Sequence, residues 1–110
     1  MAEPARADPF DALADPQRRT ILSLLGAEPR SVQQLADELP ISRPAVSRHL
    51  RVLSEAGLVH EERLGTRHIF SLHEKGLNAV QAYLGQVWGD AATRFTLFAE
   101  NTAPTERDPR

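Results

Sequence analysis

The stretch SVQQLADELPISRPAVSRHLRVLSEAG, residues 31–57, reads as two helices joined by a tight connection. Ser31 is a helix N-cap with Gln34 three places on, the spacing of a capping box. Val32, Leu35, Ala36 and Leu39 recur at helical steps and mark one buried face, which Pro40 ends. Past Ile41, Ser42 caps a second helix with Pro44 in its first turn, and Gly57 is placed to stop it in the left-handed conformation. Two helices joined in this way form a helix-turn-helix.

The second helix has two distinct sides. At about 100° per residue, Val46, Leu50 and Leu53 fall within one narrow arc. Pro44, Ser47, Arg48 and Arg51 fall on the opposite arc, with Arg43 toward its N-terminal edge. That outer face carries arginines and a hydroxyl and meets no acid until Glu55. An arginine fork matches guanine O6 and N7 in the major groove of double-stranded DNA, and arginine or serine also holds phosphate. The helix N-terminus, capped by Ser42, adds backbone amides and a positive dipole end. Ser47 and Arg48 are the expected base contacts, while Arg43 and Arg51 serve bases or phosphates.

Outward toward the C-terminus, residues 58–64 and 67–72 are β-prone and flank Gly65-Thr66, which predicts a hairpin. Its tip holds Arg63, Thr66 and Arg67, cations beside the arginine face that can grip phosphate or enter the minor groove. Glu61 and Glu62 would repel phosphate and are expected to point away. From Glu74 to about Glu100 the pattern is helical, with Leu77, Val80, Leu84, Trp88, Ala91, Phe95 and Phe98 along one stripe. A long helix on a small domain cannot cover such a stripe alone, and a second copy would do so, together with Phe10 and Leu13. A ligand pocket lined by Tyr83, Trp88, Phe95 and Phe98 is the alternative. Outward toward the N-terminus, Asp8-Pro9 and Asp15-Pro16 each pair an N-cap with a proline in the first turn. The second opens an apolar helix through Ile21, Leu22, Leu24 and Leu25 that Gly26 and Pro29 close. Residues 1–7 and 101–110 are expected to be disordered tails around a domain spanning 8–100.

The whole chain has 110 residues, which is one domain with tails. At 41% hydrophobic and 25% charged residues it suits a globular protein, and no apolar run is long enough to span a membrane. The N-terminus has no apolar core of a secretory signal, and cysteine is absent, so a cytoplasmic location is expected. The lack of cysteine also removes disulfides, thiolate metal sites and a thiol nucleophile. The net charge of −2 argues against nucleic acid only until its distribution is followed. Residues 1–40 carry −3, residues 41–75 carry +2 and residues 76–110 carry −1. Screening acts over about 8–10 Å, so the basic middle third sets the potential that a ligand meets there.

ALADPQRRTILSLL at 12–25, the motif extended to Val59, and GTRHIFSL at 65–72 resemble the ArsR family of winged-helix bacterial transcriptional regulators, across about residues 10–98. The resemblance implies a mainly α fold with a small β-hairpin, a winged helix-turn-helix that dimerises through its first and last helices. It implies a homodimeric DNA-binding regulator, usually a repressor and often of its own operon. Phe10, Leu13, Leu77, Leu84, Trp88, Phe95 and Phe98 would then lie in the dimer interface, and His49 would donate to a phosphate. The family's metal sensors use cysteines near the recognition helix or Asp, His and Glu on the terminal helices. This chain has no cysteine and no histidine from Glu74 to Glu100. It resembles the branch without a metal site, whose members often carry a tryptophan late in the last helix, as Trp88 is here. No cofactor is expected, and the sequence names no small-molecule effector.

Two other readings remain open at this point: a winged-helix module that docks acidic protein partners, and a metal-responsive DNA-binding switch. His60, His68 and His73 match no compact metal-ligand spacing, and strand alternation sends neighbours to opposite faces. No serine or carboxylate is tied to a base in a catalytic arrangement, and no phosphate-cradling glycine loop is present, so an enzyme is not expected.

Overall fold

The computed structural model describes residues 7–107, with side chains throughout except at positions 90, 92–93, 95–98 and 100–107. Its elements are α1 (Pro9–Leu13), α2 (Pro16–Ala27), β1 (Arg30–Ser31), α3 (Val32–Glu38), α4 (Arg43–Glu55), β2 (Val59–Leu64), β3 (Arg67–Leu72) and α5 (Glu74–Arg107). The chain divides into two compact units, one up to Val80 and one from Gln81 onward.

Each helix start follows from its cap. The Asp8 carboxylate accepts from the Phe10 amide at 2.9 Å, and Asp15 accepts from Gln17 at 2.7 Å and Arg18 at 3.4 Å. Ser31 and Gln34 form a complete capping box: the Gln34 amide donates to Ser31 Oγ at 3.2 Å and the Ser31 amide donates to Gln34 Oε1 at 2.8 Å. The Ala45 amide donates to Ser42 Oγ at 3.2 Å. Stops follow the same chemistry. Leu39 is extended ahead of Pro40, where proline crowds out the helical conformation. Gly57 ends the α4 turn at φ 77°. α2 passes through Gly26 and stops at Ala27, with Glu28 extended before Pro29, so the proline alone does the closing.

The hairpin is a two-residue turn with Gly65 at φ 68°, and Val59 to Leu64 pair with Leu72 to Arg67. A third strand joins the hairpin. Arg30 and Ser31 pair with Phe70 and Ile69, giving an antiparallel sheet in the order β1-β3-β2. Two residues, the second of them the α3 N-cap itself, carry no alternation to reveal them. This strand ties the start of α3 to the base of the wing, so the hairpin is anchored on both sides of β3.

The core of the first unit gathers Ile21 and Leu25 of α2, Leu35 of α3, Val46, Leu50 and Leu53 of α4, and Leu58, Val59 and Phe70. The guanidinium of Arg18 donates from Nε to Ala12 O at 2.7 Å and from Nη2 to Asp11 O at 3.2 Å, and Arg19 Nη1 donates to Leu13 O at 2.7 Å. These bonds satisfy the last carbonyls of α1, a helix too short to hold itself. Ala7, expected in a tail, packs on the core, and its amide donates to Glu55 O at 3.3 Å. The helix expected to end near Glu100 continues to Arg107. No glycine interrupts residues 101–107. The remainder of the expected tails, residues 1–6 and 108–110, lies outside the described residues.

Candidate nucleic-acid interface

α4 is held by burying Val46, Leu50 and Leu53, which are at most 1% exposed. That leaves Arg43, Pro44, Ser47, Arg48 and Arg51 on the solvent side. Among the described residues no carboxylate forms an ion pair with Arg43, Arg48 or Arg51. Their charge is therefore available to a ligand. Ser42 sits at the N-cap and its oxygen is used on Ala45, leaving the hydroxyl proton as a donor.

His49 has a different setting. Its side chain is half-buried, and its Nδ1 faces Arg18 Nη1 at 3.4 Å. Arg18 is in turn 3.7 Å from Asp15. A helical wheel places His49 on the flank of the apolar arc, and the packing of α2 on α4 half-buries it there. Desolvation works to raise the Asp15 carboxyl pKa. The amides of Gln17 and Arg18 and the charges of His49 and Arg18 outweigh it and hold the carboxyl below its ordinary range.

The wing projects Arg63, Thr66 and Arg67 into solvent. Between it and the N-terminal half of α4 lies a groove of about 830 Å³, lined by Arg43, Pro44 and Ser47 on one wall and by Thr66, Arg67 and His68 on the other. Of the helix and wing residues expected to meet DNA, Arg43, Ser47, Thr66 and Arg67 thus face one space, while Ser42, Arg48, Arg51 and Arg63 do not line it. Glu62 lies on the opposite strand face from Glu61 by alternation. Glu61, expected to point away, instead lines the groove and pairs with His68. Strand alternation carries it there: it sits two residues from Val59, whose side chain is buried, and directly opposite buried Phe70.

The hairpin histidines separate. His60 Nε2 is 2.9 Å from Ser71 Oγ, and its ring meets His73 edge-on at 5.3 Å, at the opposite end of the hairpin from His68. Among the described residues no group of three His, Asp or Glu side chains is placed to hold a metal ion. Among the described residues no helix is long and apolar enough to cross a membrane.

Of the expected interface residues, Phe10 of α1 is 39% exposed. On α5, Leu77 is 48% exposed, and Leu84 and Trp88 are 43% and 46% exposed. Leu13 is partly buried and packs against the core of its own unit. The Phe95 and Phe98 side chains lie outside the described residues.

A helix-turn-helix with an open arginine face and a basic wing over one groove defines a winged helix-turn-helix DNA-binding protein. Residues 13–62 match the family model of a helix-turn-helix domain. The chain is 45% identical over 86 residues to the HTH-type transcriptional regulator Rv2034 of Mycobacterium tuberculosis, covering 78% of this chain and 80% of that protein. It is 36% identical over 64 residues to the transcriptional repressor SdpR of Bacillus subtilis, covering 58% and 71%. Its fold is similar to that of an ArsR-like transcriptional regulator from Rhodococcus sp. RHA1, with a TM-score of 0.67 at 31% identity over 83% of this chain and 86% of that one. It is also similar to a homodimeric winged helix-turn-helix DNA-binding domain from Mycobacterium bovis, with a TM-score of 0.60 at 30% identity over 74% and 75%. The chain belongs to the ArsR family of helix-turn-helix transcriptional regulators.

Proposed function

We propose that this regulator binds an imperfect palindrome as a homodimer, with one α4 in each of two successive major grooves, and represses transcription by occluding the promoter. One observation carries the reading: Arg43, Ser47, Arg48 and Arg51 are exposed on one side of α4, and none of these arginines is paired with an acid among the described residues. Ser47 and Arg48 read base edges. Arg43 and Arg51 reach bases or phosphates, Ser42 donates at the helix start, and Arg63, Thr66 and Arg67 hold the backbone from the wing. His49, with Nδ1 turned to Arg18, keeps only Nε2 for a phosphate. The similarity to a homodimeric domain and to a named repressor supports the assembly and the sign of regulation. Phe10 and Leu77 in the first unit, and Leu84 and Trp88 in the second, are exposed apolar side chains that a second copy would cover.

The test is capture of fragments from the source genome, followed by gel shift at physiological salt. The expected result is a discrete set of fragments bound in preference to shuffled DNA, each with two half-sites about 34 Å apart. Weak, sequence-blind binding would replace this reading with a protein-docking module.

A further inference from the structure

A carboxylate stands inside a groove otherwise suited to phosphate. Antiparallel pairing sets Glu61 opposite Phe70 and Arg63 opposite His68, so these four share one strand face. Phe70 is buried, so this face is the one turned toward the core and α4. Glu61 therefore lies with Arg43, Ser47 and Arg67 around the main groove, and with Ser47, Arg51 and Ser54 around an adjoining hollow of about 280 Å³. Its recorded partner is His68, a group without the permanent charge of an arginine. The two side chains are 42% and 45% exposed, so both are within reach of a ligand.

An ionised phosphate offers only acceptors, and so does a carboxylate. Backbone attraction acts at every sequence alike, whereas a carboxylate is satisfied only by a donor, above all the exocyclic amine of cytosine. We propose that Glu61, positioned by His68, is a specificity-determining residue of this interface: it weakens binding to DNA of any sequence and recovers that loss only where a cytosine amine meets it. This rests on the reading that α4 and the wing form the DNA surface. His68 faces Glu61, stands across the ladder from Arg63, follows Arg67 and shares the groove with Arg43.

The test compares wild type, Glu61→Gln, Glu61→Ala, His68→Gln and Arg48→Ala on a captured genomic fragment and on a shuffled fragment of equal composition. Glu61→Gln is expected to bind shuffled DNA about fivefold tighter, the scale of one charge pair at about 4 Å in water, and to gain less on the captured fragment. Replacing the cytosines of the captured fragment singly should reveal one position that matters to wild type and not to Glu61→Ala. His68→Gln, which removes the ring that positions Glu61, should shrink the cytosine effect seen with wild type. Equal gains on both fragments, or none, with Arg48→Ala still weakening preference for the captured fragment, would overturn the role of Glu61 and leave the DNA surface standing. No effect of any variant on either fragment would overturn the surface itself.

Discussion

At the scale of single residues, the side of α4 facing solvent was legible because helical geometry converts spacing into angle. Val46, Leu50 and Leu53 had to be buried, and that put Arg48 and Arg51 outside. Replacing Arg48 by alanine should weaken binding to the captured site by about 1–3 kcal/mol and relax base preference at one position, measured by titration against single-base variants. Equal losses on captured and shuffled DNA would reassign Arg48 to phosphate. His49 and Glu61 were less legible, since an angle on a wheel or a place in a strand does not name the neighbour. Asp15 is set by its neighbours too. Its folded pKa lies below the unfolded value of 3.8, so its contribution is present above that value and is lost as pH falls through the lower folded value. Asp15→Asn keeps a capping side chain but not the charge. Its Tm should therefore fall less steeply than that of wild type below pH 3.8, and parallel curves would contradict the assignment.

At the scale of elements, caps and prolines announced the helices, and Gly65-Thr66 announced the wing. β1 was not announced, because a two-residue strand exists only where its partner is in place. The wing predicts a salt effect: Arg67→Ala should lower the slope of log affinity against log salt by about one unit per monomer. An unchanged slope would take Arg67 out of the interface. The start of α5 shows how tightly elements can meet. A Cβ on Gly76 would lie 2.6 Å from Leu58 Cδ2 and 2.9 Å from the Gly57 carbonyl oxygen, and the Gly76 amide donates to that same oxygen at 2.7 Å. Gly76→Ala should destabilise by about 1–3 kcal/mol in urea unfolding, as overpacking does. Gly85 has nothing within 4 Å of the same position, so Gly85→Ala should instead stabilise its helix by about 0.5–1 kcal/mol.

At the scale of the whole molecule, the question is how two reading heads reach one site. Apolar side chains left on α5 at Leu84 and Trp88 predict that Trp88→Glu yields monomers in sedimentation and lowers affinity for a two-half-site fragment far more than for a single half-site. Persistent dimers would assign that stripe another role. The amino-acid sequence by itself determined the helix-turn-helix, its buried and basic faces and the hairpin beside it. Those depend on neighbours within a few residues, where helix and strand periods translate order into direction. Only the tertiary structure decided that β1 anchors the wing, that His49 meets Arg18, and that Glu61 enters the groove with Arg43 and Ser47. Such meetings join residues far apart in the chain, and their geometry is fixed by how the core packs.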